Sequence, residues 1–263
     1  MNNNSKKRKD HDLPLTGWGK VAGWYDELLD GEGTYQKELI LPNLIRLMEI
    51  KKGDKILDLA CGQGFFSKEF LKAGAEVTGA DISAELIDIA AKNSPENVKY
   101  IVSKADNLSK LVDNSFDKVV IVLALQNIEN LNGTMSECFR VLKPKGKLYL
   151  VLNHPAFRIP KKSDWGFDDK SGVQYRKIEQ YLSESLINID MHPGSKEKDK
   201  IKTVSFHRPL QSYFSAFFKS GFFVLRLEEW VSHKKSQVGP RQKAEDKARK
   251  EIPMFLFMEA VKK

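Results

Sequence analysis

Three carboxylates and a glycine turn carry the chemistry legible in this chain. The stretch Lys55-Ile56-Leu57-Asp58-Leu59-Ala60-Cys61-Gly62-Gln63-Gly64 places an acid inside a short apolar run and two glycines just beyond it. The apolar run reads as a buried strand and Phe65–Ala73 as a helix. Strand, tight turn and helix make a place where backbone can approach a bound cofactor closely. Asp58 bears on which cofactor. A carboxylate at the strand end would repel a pyrophosphate and attract a cofactor carrying an ammonium group. Asp81 closes the next apolar run, Ala75–Ala80. An acid about 20 residues beyond such a turn is placed to bond ribose hydroxyls. Asp106 follows a third strand-like run, Val98–Val102, at the same end.

The elements that must position these acids alternate. Strands are expected at 55–60, 75–80, 98–102, 116–123 and 147–152, with helices between them over Phe65–Ala73, Ser83–Asn93 and Gly133–Leu142. Ser83 is placed to cap the second of these helices, and Lys143-Pro144-Lys145-Gly146 reads as a turn. This rhythm predicts a doubly wound α/β sheet, which binds ligands beyond the carboxyl ends of its strands. Asp58, Asp81, Asp106 and the residues after Leu123 all fall at that edge.

Ahead of this core, Thr34–Ile50 reads as a helix with Leu39, Ile40, Leu44, Leu47 and Met48 on one side, broken near Pro42 and stopped by Lys51–Asp54. Earlier still, Trp18, Trp24 and Tyr25 crowd an amphipathic stretch, either a helix packed on the domain or a lid over a base or cation. The rhythm breaks between Asn153 and Pro209. This insertion reads as a cap over the site, the alternative being a decorative or dimerising segment. Within it, Leu186–Met191 and Ile201–Phe206 are expected to pair as a hairpin. The core then resumes with a helix over Leu210–Ser220 and strands over Phe222–Leu227 and Met254–Val261. Trp230–Lys250 between them reads as a charged connection without a strong helix, so the last two strands are expected to be antiparallel.

Composition narrows the class. The chain has 263 residues, 41% of them hydrophobic, enough for a sizeable core. No apolar run reaches the ~20 residues of a membrane helix, and no apolar segment follows the basic start Lys6–Lys9. Its two cysteines, Cys61 and Cys138, lack metal-ligand spacing. A cytoplasmic protein with reduced thiols and no metal is the expectation. The net charge of +8 suits either a solvated lysine-rich surface, the favoured reading, or a nucleic-acid partner.

Taken together, Asp58-Leu59-Ala60-Cys61-Gly62-Gln63-Gly64 and Asp81 resemble the class I S-adenosylmethionine-dependent methyltransferases, the small-molecule, quinone or natural-product type above all. Ala60 stands where that family has its first glycine. The resemblance implies S-adenosylmethionine as cofactor. It implies a Rossmann-like, seven-stranded, mostly parallel sheet with an antiparallel last strand. It places Asp58, Ala60, Gly62 and Gly64 against the methionine part, Asp81 on the ribose, Ile82 on the adenine, and Ala105 and Asp106 at the adenine edge. Leu123 and Ala124 would line the floor near the reacting methyl, and Trp18 and Tyr25 would join the cofactor site. Trp24 and Arg208 are candidates for the acceptor. His154 and His207 flank the cap and are candidate general bases or, equally, hydrogen-bonded structural histidines. Arg208 could orient an anionic group or act as a capping residue.

The organisation that follows is a basic tail (1–15), a helical lid (16–50), a cofactor-binding core (51–152), an inserted substrate cap (153–206) and the end of the core (207–263). The expected reaction is methyl transfer to a small-molecule acceptor by in-line displacement, in a monomer or homodimer. An RNA or protein methyltransferase and a non-catalytic cofactor-binding module are the alternatives. A dinucleotide oxidoreductase is disfavoured because no third glycine follows Gly64 in register.

Overall fold

The computed structural model describes residues 31, 33–190 and 202–263. A π-helical turn, Gln36–Ile40, runs directly into helix α1, Leu41–Met48. Pro42 lies in the first turn of α1, just past the π-helical turn. The break expected at Pro42 is therefore the join between two kinds of helix. α1 ends at Glu49, which takes a left-handed conformation ahead of the expected Lys51–Asp54 stop.

Two strand–helix units follow, β1 (Lys55–Leu59) with α2 (Phe65–Lys72) and β2 (Glu76–Asp81) with α3 (Ala84–Lys92), and then β3 (Lys99–Val102) leads to β4 (Phe116–Val122). Ser83 caps α3 by accepting the Leu86 N–H at 3.2 Å. Helix α4 (Leu131–Val141) is capped in the same way by Asn130, which accepts the Gly133 N–H. β5 (Leu142–Asn153) includes the expected Lys143–Gly146 turn as a bulge. Its ladder with β4 passes from Phe116↔Leu142 to Lys118↔Lys147 and runs regularly beyond.

The inserted region holds two hairpins. β6 (Ser163–Asp168) pairs antiparallel with β7 (Val173–Ile178). β8 (Ser185–Asp190) pairs with β9 (Lys202–His207), the hairpin anticipated from sequence. Helix α5 (Leu210–Ser220) stops at Gly221, which is left-handed at φ 85°. β10 (Phe222–Trp230), helix α6 (Gln242–Glu251) and β11 (Phe255–Lys262) complete the chain. α6 corrects the expectation of a connection without a strong helix. Its apolar signal is faint, with Ala248 its buried residue, and local bonds hold it: Asp246 accepts the Ser236 N–H at 2.7 Å, and Arg249 donates to Ser236 Oγ at 3.0 Å.

Seven strands form one sheet in the order β10-β11-β5-β4-β1-β2-β3, all parallel except β11, which runs against both its neighbours. Strand alternation divides the core between the two faces. Leu57, Leu59, Val119 and Ile121 pack toward α4 and α5 with Met135, Cys138 and Phe217. Ile56, Val120, Tyr149 and Val151 pack toward α1 and α2 with Leu44, Met48 and Phe70. Asp58 shares the face of Ile56, which is why its carboxylate lies beneath α2. No helix among the described residues is long and apolar enough to cross a membrane.

Candidate functional site

β1 is bordered by β2 on one side and β4 on the other, so the order of the strands reverses at β1. Ligands of such sheets sit in the crevice at that reversal. The turn after β1 is built from left-handed residues: Ala60 at φ 59°, Gly62 at 57° and Gly64 at 79°. The two glycines serve different ends. A Cβ on Gly64 would stand 2.2 Å from the Tyr100 hydroxyl, so this glycine lets α2 start under the tyrosine. A Cβ on Gly62 would meet nothing within 4 Å, because that part of the turn faces open space. Ala60 holds a glycine conformation with an L side chain, which costs about 1–2 kcal/mol. Leu123, across the crevice at the end of β4, is also left-handed, at φ 52°. Such strain concentrates at ligand sites.

Both crevice carboxylates are buried, Asp58 2% exposed and Asp81 8%. Asp58 accepts the Ser67 hydroxyl at 2.6 Å. Burial pushes its carboxyl up to about 7; the Ser67 bond opposes this and the Asp81 charge adds to it. Asp81 accepts the Gly62 N–H at 3.0 Å on one oxygen and the Ser83 N–H at 2.9 Å on the other. Burial raises its carboxyl as well, against these backbone donors. Cys61 lies between the two acids. Burial, then Asp58 and Asp81, lift its thiol well above the usual range, which leaves it a neutral packing group.

Around the turn lies a cleft of two joined lobes. The first, about 130 Å³, is lined by Asp58, Ala60, Gly62, Leu123 and Ala124 together with Gln36, Phe65 and Phe66. The second, about 300 Å³, is lined by Ala105, Asp106, Asn130, Val204 and Phe206. Ala60, Asp81, Ile82, Asn127 and Ile128 border both lobes. Asp106 accepts from Asn130 at 3.0 Å on the wall of the second. Gly64 sits behind the turn at the start of α2. Asp58, Ala60, Gly62, Gly64, Asp81, Ile82, Ala105, Asp106, Leu123 and Ala124 thus come together. Trp18, Trp24 and Tyr25 lie outside the described residues.

The other described candidates lie outside the cleft lining. His154 does not line the cleft. Its ring accepts the Ala156 N–H through Nδ1 at 3.2 Å and meets Glu229 through Nε2 at 2.7 Å, and burial holds its pKa low. With its lone pair engaged, His154 is not set to act as a base toward the cleft. His207 lies on the buried face of β9, opposite Val204 and Phe206, and Nε2 donates to the Tyr181 carbonyl at 2.8 Å. Arg208 does not reach into the cleft. It donates to the carbonyls of Ile128 and Glu129 at 2.9 and 2.6 Å and lies over the Phe206 ring.

Sequence reasoning missed several cleft residues. Gln63 is buried at 2% exposed, and its amide oxygen and nitrogen find no partner among the described residues. An uncharged residue between two glycines gave no signal. Asn127 and Ile128 lie past the end of β4, in and after a 3₁₀ turn at Leu125–Asn127 whose Asn127 donates to the Val204 carbonyl at 3.2 Å. Val204 and Phe206 reach the cleft through this long-range contact, which local pattern does not encode.

These features fit S-adenosylmethionine. The cleft offers buried acids at the turn and at the end of β2, an unpartnered amide, and Ile82 left 38% exposed where a flat base would cover it. The family comparison agrees. Residues 57–150 match the model of a methyltransferase domain family. The chain is 31% identical over 154 residues to a demethylmenaquinone methyltransferase of Paenarthrobacter aurescens, covering 58% of this chain and 60% of that protein. It is 31% identical over 158 residues to a ubiquinone biosynthesis O-methyltransferase of Xanthomonas euvesicatoria, covering 57% of this chain and 64% of that one. The chain thus spans less than two thirds of the length of these curated relatives. A crystal structure of an S-adenosylmethionine-dependent methyltransferase from Mesorhizobium loti superposes with a TM-score of 0.70 at 26% identity, covering 87% of this chain and all of that one. Residues 57–150 are thus similar to a methyltransferase domain, carried on a fold shared with an S-adenosylmethionine-dependent methyltransferase of known structure.

Proposed function

We propose that this protein transfers the methyl group of S-adenosylmethionine to a small-molecule acceptor. The observation that carries the reading is the convergence of Asp58, Gly62, Asp81, Ile82, Asp106 and Leu123 on one cleft at the β1–β4 reversal. Bound there, S-adenosylmethionine supplies a sulfonium methyl that is already electrophilic. The chain's own residues bind, orient and exclude water. The oxygens of Asp81 each accept one backbone N–H and retain a lone pair for a ribose hydroxyl. Asp58 is placed for the ammonium group, whose charge would favour its ionised form. Ile82 offers an apolar surface to the base. Phe65, Phe66 and Leu123 wall the lobe nearest the turn and keep it dry. Among the described residues no histidine lines the cleft, and what those residues offer the reaction is placement.

The acceptor approaches from the side of Gln36 and Phe66, since the cap strand β9 borders the other lobe. The curated relatives named above make demethylmenaquinone and ubiquinone precursors the first acceptors to try. Calorimetric binding of S-adenosylhomocysteine, followed by label transfer from S-adenosylmethionine to a panel of such acceptors, tests the reading. Absence of S-adenosylhomocysteine binding at millimolar concentration would sink it.

A further inference from the structure

A second, smaller cavity lies at the same edge of the sheet, beyond β5. It is walled by the Arg158, Arg176 and Arg249 side chains, with Trp165, Phe157 and Ser232. Three guanidinium groups from three separate parts of the chain converge here: the loop after β5, strand β7 and helix α6. Two are oriented by hydrogen bonds. Arg176 donates to the Phe157 carbonyl and to Ser163 Oγ, both at 2.8 Å, and its guanidinium lies 5.2 Å from the Trp165 ring centre. Arg249 donates through Nε to Ser236 Oγ at 3.0 Å. These bonds leave N–H groups on both side chains unspent, since each guanidinium carries five.

Arg158 has no side-chain hydrogen bond or ion pair among the described residues, although it is only partly exposed. No carboxylate among the described residues lies within ion-pair distance of any of the three. The acids nearest in effect are Asp164, felt by Arg176, and Asp246, one turn before Arg249 and committed to the Ser236 N–H. Burial and the Arg249 charge both depress the Arg158 guanidinium. Converging like charges in a half-buried cavity are costly. The arrangement becomes favourable when an anion enters, because planar guanidinium forks match carboxylate and phosphate oxygens.

The cavity also adjoins the cleft. The Tyr35 hydroxyl bonds Ser232 Oγ, on the arginine cavity's wall, at 2.9 Å. The next residue, Gln36, lines the cleft. The adjacent residues Tyr35 and Gln36 therefore link the two walls, on the side from which an acceptor would approach the turn lobe.

We infer that Arg158, Arg176 and Arg249 form a subsite for a carboxylate or phosphate group on the methyl acceptor, with Trp165 and Phe157 flanking it. This rests on the methyltransferase reading for its link to the acceptor, but anion binding can be measured without turnover.

The test is a calorimetric titration of the full chain with inorganic phosphate and, separately, with S-adenosylhomocysteine. Arg158→Gln is expected to weaken phosphate binding at least tenfold and Arg158→Lys less, with S-adenosylhomocysteine affinity unchanged within twofold in both. Arg249→Gln serves as a second variant should Arg158→Gln misfold. Acidic acceptors should then show a raised KM in these variants with kcat little changed, and their methyl esters no such rise. Phosphate affinity equal in wild type and variants would overturn the subsite while leaving the methyltransferase reading intact. An absence of phosphate binding in the wild type would do the same. Phosphate binding without S-adenosylhomocysteine binding would instead remove the methyltransferase reading and the link to an acceptor.

Discussion

The backbone N–H of Gly62 donates to Asp81 Oδ2 at 3.0 Å, so the glycine turn after β1 is pinned to the end of β2 by the acid placed to hold the ribose. One carboxylate thus shapes the turn and lines the cleft. Replacing it disturbs both.

Asp81→Ala is expected to weaken S-adenosylhomocysteine binding by about 1–3 kcal/mol, through lost hydrogen bonds to a charged acceptor. It should also lower the unfolding midpoint, because the Gly62 and Ser83 N–H groups lose their partner. Calorimetry and urea unfolding measure the two effects. Unchanged affinity would remove the ribose role.

Asp58 makes binding depend on pH. Its carboxyl, raised to about 7, is partly protonated at neutral pH in the free protein. A bound ammonium group would lower it, so cofactor binding near pH 7 should release a proton. Calorimetry in buffers of different ionisation enthalpy reads this release, and Asp58→Asn should abolish it. The sign for stability follows from the same shift. A folded-state pKa above the unfolded value gives stability that is complete below about 3.8 and is lost as pH rises through about 7. The melting temperature of the free protein should therefore fall between pH 5 and 8, and fall less in Asp58→Asn.

Ala60→Gly should stabilise the free protein. The left-handed conformation costs an L residue about 1–2 kcal/mol, and glycine gives back about 0.5–1 kcal/mol in unfolded-state entropy. A net gain of about 0.5–1 kcal/mol in urea unfolding is expected, with cofactor affinity retained.

His207→Ala should lower stability by about 1–3 kcal/mol, because it leaves the Tyr181 carbonyl without its buried donor. S-adenosylhomocysteine affinity should stay within twofold. A large loss of affinity with stability intact would return His207 to the cleft.

The sheet and its glycine turn were legible because their signals are local. Apolar runs, glycines and strand-end acids at regular spacing mark Asp58, Asp81 and Asp106 without knowledge of the fold. What was not legible depends on contacts between distant segments. The period-two pattern of β9 is visible in sequence, but which face meets the 3₁₀ turn after β4 is not, and that choice sends Phe206 to the cleft and His207 away from it. The β6–β7 hairpin was overlooked although Asp168 and Gly172 mark its turn, with Asp168 accepting from Lys170 and Ser171 and Gly172 at φ 67°. Helix α6 was missed because its turns are charged and its anchor, Ser236, precedes it in the chain.

The buried guanidinium of Arg208 bears on how the inserted region can move. It lies just past the last strand of the insertion, and its grip is on the Ile128 and Glu129 carbonyls, in the loop that walls the cleft. Asn127 adds a second fastening to Val204 on the same strand. The hairpin is therefore riveted to the wall rather than hinged above it. Any swing of β8 and β9 must carry Ile128 along, so tugging on this hairpin from outside would change the width of the cleft in the same stroke.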